Sequence, residues 1–261
     1  LEDECFIAAG STITKQVDKR GLGIARARQE NKEAFYNPYL ENFKRAKIYF
    51  GTDGIRGVVD SELTEDLAYS TGNALCQLKE NPKVIIGRDT RPSGEKISKA
   101  IIQGLINGGA EVFNVGIVPT SAISYLTKKL GLDYGIVITA SHNPKEYNGI
   151  KVFGNSGVKI TDAEEIKIES KLKSAISSPG GKVLNLSAEV KAYEEFLKNS
   201  IKTNLNGLKI LLDCANGASS KIAPKIFKML GADVKAINIK GEINNNCGAT
   251  HIENLIANME G

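Results

Sequence analysis

Gly135-Ile-Val-Ile-Thr139-Ala-Ser141-His142-Asn143-Pro144 decides how this chain is read. Its apolar run suits a buried strand over Gly135–Thr139. The strand ends in a polar loop that Pro144 closes. In open α/β sheets, ligand sites lie at the carboxyl ends of strands, so Ser141 stands where a nucleophile or phosphate carrier belongs. Ser-His-Asn-Pro also suits a plain turn, because Asn143-Pro144 supplies turn chemistry by itself. A serine hydrolase fits poorly. Side chains of the adjacent Ser141 and His142 diverge in extended chain, no G-x-S-x-G elbow surrounds Ser141, and the only other histidine, His251, is remote in sequence.

On both sides of this stretch the pattern alternates between strand and helix. Lys47–Phe50 reads as a short strand entering a glycine-rich loop, Gly51-Thr-Asp-Gly-Ile-Arg-Gly57. Leu67, Thr71, Ala74, Leu75 and Leu78 mark a helical face. Val84-Ile85-Ile86 is a buried-strand run. Ser93 is placed to cap a helix with Ile97, Ile101 and Leu105 inward, which Gly108-Gly109 stops. Glu111–Val115 reads as a strand and Ser121–Leu130 as a helix. Asn148–Ile160 suits a hairpin turning at Gly154-Asn155. Thr161-Asp-Ala-Glu164 is a capping box, and Ser177–Gly181 a linker-like break. Then Leu208–Leu212, the turn Asp213–Gly217, the helix Ser219–Leu230 and Gly231-Ala-Asp-Val234 repeat the earlier order of strand, turn, helix, Gly-Ala-acid-Val and strand. This predicts two βαβ domains of related topology. A last helix is signalled by Thr250-His-Ile-Glu253, and a further strand is expected after it.

Composition supports a globular chain. Of 261 residues, 41% are hydrophobic and 25% charged, which excludes wholesale disorder. No apolar run is long enough to span a bilayer, and no secretory leader opens the sequence, so a cytoplasmic protein without membrane partners is expected. A net charge of +4, 6% aromatics and no tryptophan give no footing for nucleic acid. Cys5, Cys76, Cys214 and Cys247 form no C-x-x-C pair and read as reduced, mostly buried thiols.

Several features point at phosphate. Gly51–Gly57 offers backbone close to an anion, with Arg56 beside it. Arg88 and Arg91 flank Asp89 at another strand end, and Lys145, Lys151 and Lys159 follow the Ser141 loop. Singly, each also reads as a surface charge or a turn. Neither a Walker A sequence nor a dinucleotide fingerprint is present.

These residues carry a family resemblance. Tyr49-Phe-Gly-Thr-Asp-Gly-Ile-Arg-Gly57, Thr139-Ala-Ser-His-Asn-Pro144, Asn148-Gly-Ile-Lys151, Asp213-Cys-Ala-Asn-Gly-Ala218 and Cys247-Gly-Ala-Thr250 resemble, in order, the first part of bacterial phosphoglucosamine mutases of the α-D-phosphohexomutase superfamily. The resemblance implies an α/β fold: a mixed-sheet domain over 47–188, then an incomplete second domain of related topology over 189–261. It implies an isomerase that interconverts glucosamine 6-phosphate and glucosamine 1-phosphate in amino-sugar and peptidoglycan precursor synthesis. The alternatives are a phosphomannomutase or phosphoglucomutase of the superfamily, or a non-catalytic phosphosugar-binding piece.

By the same resemblance, Ser141 is the phosphoserine that exchanges phosphate through a hexosamine 1,6-bisphosphate. Arg56, Lys151 and His142 assist it, and Thr52, Asn143 and Arg88 bind substrate or phosphate. Mg²⁺ is expected on the phosphoserine and on an Asp-Gly-Asp-Gly-Asp loop beyond Gly261. The chain alone is therefore expected to be inactive or nearly so. A small phosphosugar is the expected partner, with a homo-oligomer left open. Residues 1–46 differ. Ile7 and Ile13 suit one rung of a hexapeptide β-helix, residues 24–47 an exposed arm. Phe6–Lys15 and Gly21–Glu33 resemble the β-helix end of a bifunctional uridyltransferase/acetyltransferase, where Arg26 matches an acetyl-CoA-site arginine.

Overall fold

A computed structural model describes residues 6–7, 22–25, 29–32 and 47–259. The chain divides into two compact units, Leu1–Ala46 and Lys47–Gly261. In the first, β1 (Phe6–Ile7) pairs parallel with β2 (Leu22–Ala25), which pairs antiparallel with β3 (Gln29–Lys32). Within the expected arm over 24–47, residues 29–32 are strand, and residues 26–28 and 33–46 lie outside the described residues. Gln29-Glu-Asn-Lys has weak strand preference, so pairing to β2 makes it a strand. Ile13 and Arg26 lie outside the described residues.

The second unit is built on a seven-stranded mixed sheet. Its strands are β4 (Phe50–Gly51), β5 (Gly54–Val58), β6 (Lys83–Arg88), β7 (Glu111–Ile117), β8 (Tyr134–Ile138), β9 (Tyr147–Gly154) and β10 (Lys182–Asn185), in the order β10-β7-β6-β8-β9-β5-β4. Four are parallel; β9 runs antiparallel to both β8 and β5. The helices are α1 (Glu65–Leu78), α2 (Gly94–Asn107), α3 (Thr120–Lys129) and α4 (Asp162–Lys171). Val84 and Ile86 point into one core with Ile97, Ile101 and Leu105 of α2, while Ile85 joins Ile123 and Leu126 of α3 on the other face. The central strands are continuously apolar because helices cover both faces. Each such isoleucine or leucine contributes about 1.5–3 kcal/mol by leaving water. Gly72 and Gly104 let α1 and α2 meet backbone to backbone: a Cβ at Gly104 would strike the Tyr69 carbonyl oxygen.

Past the 177–181 coil, β10 adds to the edge of this same sheet beside β7. Then come α5 (Val190–Ser200) and a separate two-stranded parallel sheet, β11 (Lys209–Asp213) and β12 (Asp233–Ile237), joined through α6 (Ile222–Met229). The repeated β–α–β order is thus present in both sheets. Ile222, Ile226 and Leu230 join the α3-side core, and Tyr193 of α5 hydrogen-bonds Ser121 at 2.6 Å. The final helix, α7, is only Glu253–Ala257. Cys76, Cys214 and Cys247 are free and buried, and burial pushes the Cys76 thiol up to about 11. Among the described residues, no helix is long and apolar enough to cross a membrane.

Some local expectations are corrected. Lys47–Tyr49 is not strand. The Glu169 carboxylate accepts the amides of Ile48, Tyr49 and Phe50 at 2.8, 2.8 and 2.7 Å, taking the place of a neighbouring strand. Gly51–Gly57 is a tight hairpin rather than an open loop, since β5 is paired to β9 along its length. Ser93 does not cap α2 with its side chain; its hydroxyl accepts from Asn148 Nδ2 at 3.0 Å. The capping box at Thr161 and Glu164 is present. The returning arm of the 148–160 hairpin makes only a bridge, Phe153 to Lys159.

Candidate active site

β8 ends at Ile138 beside Arg88 of β6, so the loops after these two parallel strands leave the sheet together. Thr139 and Ala140 are buried, and Ser141 is exposed. Its φ of +56° lies in the left-handed region, which a residue with a Cβ rarely occupies. Such conformations persist where the surroundings over-determine them, and they concentrate at functional sites.

The determinants are visible. The Ser141 amide donates to Thr139 Oγ1 at 3.0 Å, and that hydroxyl donates to Asp89 Oδ2 at 2.6 Å. Asp89 also accepts from the Arg91 amide and from Arg91 Nε, both at 3.0 Å. Arg91 is fully buried. Its Nη1 donates to the carbonyls of Pro144 and Tyr147 at 2.5 and 2.9 Å, and its Nη2 to those of Ser141 and Asn143 at 2.9 and 2.8 Å. All five guanidinium donors are thus used inside the protein.

The charged side chains arrive from β5 and β9. Ile55 and Ile150 pair across the strands and face the core, so Arg56 and Lys151 share the opposite face of the sheet. Both line a cleft of about 220 Å³ with Thr52, Asp53, Gly54 and Thr139. Arg56 Nη1 donates to Asn143 Oδ1 at 3.4 Å, which ties this cleft to the Ser141 loop. The Asp53 carboxylate lies 3.7 Å from both Arg56 Nη2 and Lys151 Nζ, as an internal counter-ion. Gly54, at φ +116°, could not be another residue: a Cβ would collide with the Ile150 carbonyl.

A second, larger cleft of about 630 Å³ lies between residues 142–147 and the Asn-rich loop 242–246. It brings His142 and His251 together despite their distance in sequence. Lys145 bonds Glu242 here at 2.6 Å, and that hydrogen bond raises the lysine above its ordinary value.

The expected residues therefore separate. Arg56, Lys151 and Thr52 share the smaller cleft, Asn143 is tied to it through Arg56, Ser141 follows two residues after Thr139 of its wall, and His142 and Asn143 line the larger cleft. Arg88 is not brought in: its guanidinium bonds the Asp89 carbonyl at 3.2 Å and lies 3.9 Å from Glu95, because the β6 end turns it toward α2. Arg91, read as a phosphate ligand, is a buried scaffold. Lys159 pairs with the buried Glu165 at 2.7 Å. The roles of Asp89, Thr139 and Asn244 in holding the loop escaped the sequence reading, although an Asp two residues before an Arg after a buried strand is a usable signal. Among the described residues, no three His, Cys, Asp or Glu side chains are grouped to hold a metal ion, so the expected Mg²⁺ has no protein donor set here.

Comparison with known proteins agrees with this geometry. Residues 47–178 match the family model of phosphoglucomutase/phosphomannomutase, alpha/beta/alpha domain I. The chain is 47% identical to a phosphoglucosamine mutase of Clostridioides difficile over 79% of its own length and 49% of that protein. It is 45% identical to one of Acetivibrio thermocellus, with the same coverage. A solved phosphoglucomutase/phosphomannomutase family protein from Burkholderia thailandensis superposes with a TM-score of 0.70 at 26% identity, covering 80% of this chain and 49% of that one. The chain thus spans about half the length of the curated relatives it matches. On this match and this fold, the chain belongs to the phosphoglucomutase/phosphomannomutase family.

Proposed function

We propose that the chain carries the phosphate-accepting part of a phosphoglucosamine mutase, with Ser141 as the carrier in the exchange between glucosamine 6-phosphate and glucosamine 1-phosphate. One observation supports this most: an exposed serine in a left-handed backbone at a strand's carboxyl end, on a loop that Asn143 ties to Arg56 of the cleft that also holds Lys151. Phosphoryl transfer asks a protein mainly for positioning and for positive charge around the moving group. The phosphoryl group leaves one oxygen of a hexosamine 1,6-bisphosphate and joins Ser141 Oγ, whose proton passes to the departing sugar oxygen. In the other half-reaction, phosphorylated Ser141 gives its group to the free hydroxyl of a hexosamine monophosphate, whose proton passes to Ser141 Oγ; the bisphosphate so formed turns and returns its other phosphate to Ser141. Arg56 steadies the equatorial oxygens, and Lys151 compensates charge at the reacting hydroxyl. An incoming phosphate displaces Asp53 from these two cations.

The Mg²⁺ that such chemistry employs would lie against the phosphorylated Ser141. Among the described residues, no group of three His, Cys, Asp or Glu side chains adds to that site. The alternative is a chain that binds a phosphosugar without reacting.

The test is intact mass after incubation with glucosamine 1,6-bisphosphate and magnesium. A gain of one HPO₃, about 80 Da, is expected on the wild-type chain and is lost in Ser141→Ala. Wild-type chain that binds the bisphosphate yet gains no mass would establish the binding-only reading.

A further inference from the structure

The carbonyls of Ser141 and Asn143 are each gripped twice. Arg91 Nη2 reaches them at 2.9 and 2.8 Å, and Asn244 Nδ2 reaches the same two oxygens at 2.9 and 3.1 Å. The donors come from different parts of the fold. Arg91 follows β6 in the seven-stranded sheet, and Asn244 lies in the loop after β12 of the two-stranded sheet. Asn244 is itself fixed: its amide donates to the Ala215 carbonyl at 3.0 Å, its φ of +57° is one asparagine tolerates, and the adjacent Ile243 is buried. Two further bonds close the same seam, Thr90 Oγ1 to the Asn216 carbonyl at 2.6 Å and Lys145 to Glu242 at 2.6 Å.

We infer that Asn244 is a positioning residue for Ser141. With Arg91 it locks the 141–143 loop so that Ser141 keeps its left-handed backbone, exposed to solvent, and the second βαβ unit thereby governs how fast a serine of the first accepts phosphate. This rests on the phosphate-carrier reading of Ser141. Arg91 alone fixes the loop from its buried side. Asn244 supplies the second donor to each carbonyl from the more exposed side, where water would otherwise compete for those oxygens.

Two substitutions isolate the amide. Asn244→Gly keeps the positive φ and removes the donor. Asn244→Asp keeps the shape and turns an acceptor toward two carbonyl oxygens. In each, amide hydrogen exchange of residues 141–147 is expected to rise about tenfold or more, with residues 134–138 unchanged. The maximal rate of phosphate uptake from glucosamine 1,6-bisphosphate, followed by intact mass, should fall about tenfold, while the half-saturating concentration moves less than about twofold. A purely structural contact would not produce that split. Unchanged loop exchange, or a full maximal rate with weakened saturation, overturns the inference while the carrier reading stands. A wild-type chain that takes no phosphate overturns both.

Discussion

Asp89 does more for the site than its place between two arginines suggests. It neutralises the buried Arg91, and through the Thr139 hydroxyl it fixes the Ser141 amide. Asp89→Ala leaves a guanidinium buried without its counter-charge, a change that costs about 3–5 kcal/mol in comparable pairs. Urea denaturation should show that loss, and a midpoint equal to wild type would refute the account. At this scale the sequence was partly legible. Ser141, Arg56 and Lys151 stand out because a strand end, glycines and cations each leave a local mark, whereas the binding roles of Thr52 and Asn143 come only from the family resemblance. Arg91 was misjudged because exposure decides whether an arginine meets ligand or scaffold, and exposure is not local. The strand pattern alone does not report whether Arg88 turns toward α2 or toward the loop.

At the scale of elements, periodicity carried most of the reading, and the errors fell where pairing overrides pattern. The apolar runs of β6 and β8 and the faces of α1 and α2 follow directly from the sequence. Lys47–Tyr49 has strand-like residues, but Glu169 of α4 takes its amides instead. Lys47 then clasps the first turn of α4, bonding Asp162 at 2.8 Å and Glu165 at 2.5 Å. Burial works against the Lys47 ammonium, yet these two bonds outweigh it and raise its value, while the bond to Lys47 lowers Asp162. The Asp162 contribution is present above the ordinary carboxylate value of about 3.9 and fades as pH falls through its lowered folded value. The Lys47 contribution is present below about 10.4 and fades as pH rises through its raised value. The clasp should therefore be intact between roughly pH 4 and 10. A pH titration of the Ile48 and Tyr49 amide resonances should stay flat across that window, and a step near neutrality would contradict it. The effect on stability is small, because Asp162 is largely exposed.

On the scale of the whole molecule, the repeated β–α–β order was readable in the sequence, and the family resemblance implied that the second unit would be incomplete. One sheet has seven strands with both faces covered, and the other has two. Two-stranded sheets are marginal alone, and this one leans on its helix α6 packing into the α3-side core. The chain also spans about half the length of its curated relatives, and its described residues group no metal ligands.

The antiparallel course of β9 has a consequence of its own. The excursion bearing Ser141 departs and lands on one rim of the sheet, and Lys151 comes one residue after Ile150, which is wholly enclosed. Sliding β9 by a single step would drive the ammonium into oil and expel the isoleucine. Enclosed greasy side chains therefore set where the Lys151 ammonium stands beside Arg56, and a mutation that loosens them would shift that cation without touching a polar atom.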